Sequence, residues 1–214
     1  MTEDPEPALW AAISGGQPDR AAALLSALAV KSGLDAAGHA LIRASLADLG
    51  RLYHNVTLAV SYAEAARTLG MPGGLVPLAN GAHFLATTLQ SARPFRPEPF
   101  EEPPPNLDAS MEALQATLAD GEYERVHAIL RYHAAVKDRE RVFEPLLIGV
   151  AKDPGFLGHN LILAHSARLA AKYLTKEELA HHLWKFYRTV GKSYGYPEDL
   201  VVRGVAGDAQ HRVR

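Results

Sequence analysis

Gly158-His159-Asn160-Leu161-Ile162-Leu163-Ala164-His165-Ser166-Ala167-Arg168, running on to Leu174, decides the architecture, because an imperfect copy of it runs from His54 to Leu69. Half of the aligned positions are identical: His54/His159, Asn55/Asn160, Leu58/Leu163, Ala59/Ala164, Ser61/Ser166, Ala65/Ala170, Ala66/Ala171 and Leu69/Leu174, with Arg67 opposite Lys172. Alanine matches mean little in a chain so rich in alanine, whereas the His-Asn pair is informative. The same offset of 105 also aligns Gly16 with Gly121, Arg20 with Arg125, Ala23 with Ala128 and Leu25 with Leu130. A tandem duplication is therefore expected.

Working outward, each half reads as a series of helices. Leu9, Trp10 and Ile13 form a short helical pattern stopped by Gly15-Gly16, and Pro18-Asp19 opens a second helix through Leu24, Leu25 and Leu28. The matching hairpin spans Ala113 to Ala119, the Asp120-Gly121 break, and Glu122 to Val136. A third helix is expected from Asp35, as N-cap, to Asp48-Leu49-Gly50, with its counterpart ending at Asp153-Pro154-Gly155. The repeated helix follows. A shift of the offset to 98 pairs Ala82-His83-Phe84-Leu85 with Ala180-His181-His182-Leu183 in a last helix, the first copy carrying extra residues around Met71-Pro72-Gly73-Gly74. The expected fold is all-α: a roughly four-helix unit in tandem, packed with pseudo-twofold symmetry into one compact bundle. Boundaries follow as a first repeat at 1–90, a linker at 91–108, a second repeat at 109–197 and a loose tail at 198–214. Pro94, Pro97, Pro99 and Pro103-Pro104-Pro105 keep the linker out of a helix interior.

Composition removes whole classes of function. The 214 residues are 48% hydrophobic with a net charge of −2, so no basic footprint marks a nucleic-acid partner. With no cysteine, disulfides, thiolate metal sites and cysteine nucleophiles are excluded. The acidic start, Met1 to Pro7, is unlike a secretory signal, and no run of about 20 apolar residues offers a membrane span. The expectation is a cytoplasmic protein that avoids membranes.

A helix turns about 100° per residue, which puts His54, Leu58, Ser61 and Ala65 on one stripe and His159, Leu163, Ser166 and Ala170 on another. Retention in both copies suggests that these stripes face inward, bringing His54 and His159 to a shared interface. Histidine recurs elsewhere: His83 matches His181, and His39 matches Glu144. His54, His159, His83, His181, His39 and Glu144 are thus candidate ligands for a divalent metal, whether iron, zinc, manganese or nickel. No His-Glu-x-x-His motif occurs, and His159 with His165, six residues apart, do not share a helical face, so a site on these residues is expected to be assembled from several helices.

Without metal, the same residues suit proton transfer. A histidine in the first turn meets the positive end of the helix dipole, which favours neutral imidazole, and His54, His159 and His39 are the candidate catalytic groups. The plain alternative is a hydrogen-bonded polar group within a core. Arg20 and Arg125 suit either an anionic substrate or pairing with a helix end.

Ala37-Gly38-His39-Ala40-Leu41-Ile42-Arg43 and Gly158-His159-Asn160-Leu161-Ile162 to Arg168 resemble the Gly-His-x-x-Ile-type helices of the His-rich, all-helical questin oxidase-like proteins. The resemblance implies an oxidoreductase-like helical fold acting on a small organic substrate, with His39, His54 and His159 at the matching positions. Three readings stay open: an enzyme with a His-lined cavity between the repeats, a small-molecule binding protein, and an interaction module, with a homodimer as one candidate assembly.

Overall fold

The computed structural model describes residues 5–47, 54–93, 110, 112–114, 116, 123–135, 143 and 159–183. Among these, regular structure is helical and no strand forms. The chain divides into two compact units, the first comprising Met1–Pro97 and Leu169–Leu174, the second Glu98–Arg168 and Thr175–Arg214.

Five helices build the first unit, one more than the roughly four-helix repeat expected: α1 (Pro5–Ser14), α2 (Pro18–Ser32), α3 (Leu34–Ser45), α4 (His54–Leu69) and α5 (Leu75–Thr88). The break between α1 and α2 falls where the glycines require it. Gly16 has a φ of 63°, a left-handed conformation open to glycine, and Pro18 then occupies the first turn of α2, where its missing N–H costs nothing. Ala21, Leu25, Leu28 and Ala29 repeat at helical spacing and form the buried stripe of α2.

The third helix departs from expectation at both ends. Gly33, at a φ of 93°, caps α3, so Asp35 lies inside the first turn, where its charge suits the helix dipole. The helix stops at Ser45, with Leu46 and Ala47 bonded back to Arg43 and Ala44, well before Gly50. Asp48-Leu49-Gly50 and the counterpart at Asp153-Pro154-Gly155 lie outside the described residues. An Arg43 Nη1 to Glu6 Oε2 bond of 2.7 Å ties α3 to the start of α1.

Helix α5 is the hub of this unit, touching each of the other four helices. No charged side chain occurs between Thr68 and Ala82, so α5 can be enclosed without burying a charge. Pro77, Leu78, Gly81, Ala82, Leu85 and Ala86 are its buried residues. Gly81 permits the closest approach: a Cβ there would sit 2.7 Å from Leu41 Cδ2 on α3 and 3.2 Å from Tyr62 Cβ on α4. Beyond α5 the chain returns to the end of α1, Ser91 N–H donating to Ser14 O at 2.9 Å.

In the second unit, α6 (Tyr123–Ala135) buries Ile129, Leu130 and His133; α7 (His159–Ala170), whose last two residues belong to the first unit, buries Leu163, Ala164, Ser166, Ala167 and Ala170. Residues 176–183 form a further helical stretch. The aligned segments are thus helical in both halves, α4 from His54 and α7 from His159. The connector from 94 to 108 and the tail from 198 lie outside the described residues.

Candidate functional site

The stripe expected to face inward does so in only one copy. On α7, Leu163, Ser166 and Ala170 are buried. On α4, Ser61 is exposed and His54, Leu58 and Ala65 are only half-buried. The interior face of α4 is instead Val56, Thr57, Ala59, Val60, Ala63 and Ala66. Its orientation is set by its neighbours: Ala63 meets α3 at Gly38, which at 100° per residue turns Ser61 about 160° away from that contact. What the two aligned helices share is local. Ser61 donates to Thr57 O and Ser166 to Ile162 O, each at 2.9 Å, so both hydroxyls are satisfied one turn back on their own helix.

The candidate histidines are distributed over several elements. His39 lies half-buried on α3, and His54 heads α4 with its Nδ1 shielded from solvent. His83 is exposed on α5, its Nδ1 3.9 Å from Asp19 Oδ1 on α2, with both side chains open to solvent. His181 is half-buried in the 176–183 helix. His159 heads α7, but the surroundings of its side chain, and all of Glu144, lie outside the described residues. Among the described residues, no three His, Asp or Glu side chains gather as a metal-holding group. Arg20 donates to Gln17 Oε1, 3.1 Å away on the same surface, rather than to a helix end.

Two features of the polar architecture were not singled out in the sequence. The first is a set of buried titratable groups in the second unit: His182 on the 176–183 helix, Glu178 one turn before it, and His133 on α6. Glu178 has a structural role. Its Oε2 accepts from Thr175 N–H at 3.0 Å while Thr175 Oγ1 accepts from Glu178 N–H at 3.3 Å, the reciprocal capping box of Thr175-Lys176-Glu177-Glu178. Replacing Thr175 by alanine is expected to cost about 1 kcal/mol, seen as faster amide exchange over residues 176–179.

The second is centred on Glu64, in the first unit. Its carboxylate accepts from Tyr173 Oη at 2.6 Å and Arg67 Nη2 at 3.0 Å, with Lys172 Nζ at 3.5 Å. Burial alone would raise the Glu64 carboxyl; the hydrogen bonds from Tyr173 and Arg67, with the charges of Lys172 and Arg67, outweigh it and hold the group below the usual range. Burial, and then the bond it donates to Glu64, push the Tyr173 phenol up, so it stays protonated at neutral pH. Gly38 makes room for its ring, since a Cβ at 38 would lie 3.2 Å from Tyr173 Cε1. Glu64 and Arg67 are readable as an i,i+3 pair, but no local pattern links either to a tyrosine 109 residues away.

Exposed apolar side chains also lie at the end of the same helix. Leu69, Met71 and Val76 are 62%, 51% and 64% exposed around the turn from α4 to α5, with Pro72 exposed between them. With this geometry in place, comparison with known proteins adds no relative. No family model, curated protein or solved structure matches the chain. Among the described residues no helix is long and apolar enough to cross a membrane.

Proposed function

We propose that the protein is a helical interaction module whose contact surface is the turn from α4 to α5, and that its occupant is the same turn of a second copy. The observation carrying this reading is the exposure of Leu69, Met71 and Val76 within a stretch that has no charged side chain from Leu69 to Ala82. Isolated exposed apolar residues need no explanation, but three exposed within the eight residues from Leu69 to Val76, with Pro72 exposed between them, mark an uncharged stretch open to solvent. Its complement must itself be apolar and uncharged, and a twofold contact meets that condition because each copy supplies the same turn to the other.

The test is sedimentation velocity across a wide concentration range. Wild type should show a reversible dimer, and Leu69→Asp with Val76→Asp should raise its dissociation constant at least roughly tenfold, about 1.4 kcal/mol, while leaving thermal stability unchanged because both side chains are exposed. A wild type that stays monomeric, or a dimer indifferent to both changes, would overturn the reading.

A second reading, histidine-based chemistry of a metal-dependent or oxidoreductase-like kind on a small organic substrate, is supported by the wholly buried His182 beside Glu178 and by His39 and His54 on neighbouring helices. It predicts stoichiometric uptake of zinc, iron, manganese or nickel by protein purified without a histidine tag. Failure of all four to bind would remove its metal branch.

A further inference from the structure

With no cysteine in the chain, its sulfur chemistry belongs to three methionines, Met1, Met71 and Met111. Met1 and Met111 lie outside the described residues. Met71 is 51% exposed in the α4–α5 turn, between Leu69 and Val76 in the chain. The turn that carries it is held by its own backbone: Gly70 N–H donates to Ala66 O at 3.1 Å, Gly74 N–H to Gly70 O at 2.6 Å and Leu75 N–H to Pro72 O at 3.1 Å. None of these bonds uses the Met71 side chain. Its thioether can therefore change chemically while the turn keeps its shape.

We propose that Met71 is an oxidation switch for the self-association of this turn: a hydroperoxide converts the thioether to its sulfoxide, which opposes the contact, and thiol-driven reduction restores it. The inference rests on the self-association proposed above. In the forward step a lone pair of Sδ attacks one peroxide oxygen, the O–O bond breaks and the sulfur gives up two electrons; with hydrogen peroxide, the other oxygen takes the remaining proton and leaves as water. In the return step, through a methionine sulfoxide reductase, two thiols supply two electrons and two protons, the oxygen leaves as water and the thiols become a disulfide. Those thiols come from outside, because the chain has none.

The direction of the effect follows from what the surface lacks. From Leu69 to Ala79 no side chain carries a hydrogen-bond donor. A sulfoxide oxygen pressed against the same stretch of a second copy is desolvated with no side-chain donor there to meet it, and burial of an unmatched polar group is unfavourable. In a twofold contact the change is made on both sides. Pairing also covers the thioether, so the unpaired chain is the form that reacts and, once oxidised, it stays unpaired.

Sedimentation velocity of the full chain before and after treatment with hydrogen peroxide tests this, with the Met71 sulfoxide counted by peptide mass spectrometry. Oxidation of wild type should raise the dimer dissociation constant at least roughly tenfold and leave the melting temperature unchanged. A methionine sulfoxide reductase with dithiothreitol should reverse it. Met71→Leu keeps an apolar side chain without the sulfur, so it should pair like wild type and ignore the peroxide, whatever happens at Met1 and Met111. Met71→Gln, polar and of similar length, should be weakened with no oxidant present. A peroxide response equal in wild type and Met71→Leu overturns the switch, and so does an oxidised wild type that pairs as tightly as the reduced form; in both cases the reduced dimer still stands. A reduced wild type that stays monomeric overturns the switch together with the self-association beneath it.

Discussion

Replacing Leu41 by alanine is expected to lower stability by about 2–5 kcal/mol, a fall in melting temperature of roughly 4–20 °C for a chain of this size. Leu41 is fully buried on α3 and reaches the hub helix at Gly81. The range reflects how far the surroundings can close the void, and two neighbours limit that closure: Tyr62 presses on the same point from α4, and Gly81 has no side chain to move. The pair should therefore be coupled. In wild type, Gly81→Ala drives a methyl group to 2.7 Å from Leu41 Cδ2, a strain on the order of 1 kcal/mol or more that opposes the gain in helix propensity. In the Leu41→Ala background the methyl group enters vacated space, so the same change should become neutral or stabilising. A double-mutant cycle read by urea unfolding should give a coupling of about 0.5–3 kcal/mol. Strict additivity would show that the approach of α3 to α5 is looser than described.

Adjacent glycines in the α4–α5 turn should respond differently to the same substitution. A Cβ on Gly74 would stand 2.5 Å from the Ala66 carbonyl oxygen, a backbone atom that cannot rotate aside, whereas a Cβ on Gly73 meets nothing nearer than 3.5 Å. Gly74→Ala is expected to cost about 1–3 kcal/mol, and Gly73→Ala to stay within about 0.5 kcal/mol of wild type. Denaturant midpoints distinguish them. Equal effects would mean that the turn yields as a whole. Because Gly74 holds the turn that displays Leu69, Met71 and Val76, its replacement should also weaken the proposed self-association, and Gly73→Ala should not.

Much of the helical framework is legible in the residues. Gly15-Gly16 followed by Pro18 marks the α1–α2 hairpin because a left-handed residue and a proline in a first turn both have strong local preferences. A helix over the stretch from His54 to Leu69 is readable, with His54 in or near its first turn. Asp35 misleads because Gly33, two residues earlier, takes the capping position at a positive φ. Thr175-x-x-Glu178 is a local signal of helix capping that can be read directly.

The candidate site is less legible. Recurrence of His-Leu-Ser-Ala at the two aligned segments reads as one buried stripe, yet helical periodicity records only which residues share a face, never which way that face turns. Contacts of α4 with α3 and α5 turn Ser61 outward, while Ser166 is buried on α7.

Sequence by itself therefore determined the helical class, the α1–α2 break and the exclusion of thiol chemistry, since each rests on backbone preferences or on residue types acting over a few positions. Tertiary structure alone decided that α5 is the hub, that α4 points its retained serine to solvent, and that Tyr173 ends on Glu64. Those outcomes depend on which surfaces meet after the chain has closed a loop of more than a hundred residues, and no local preference carries that information.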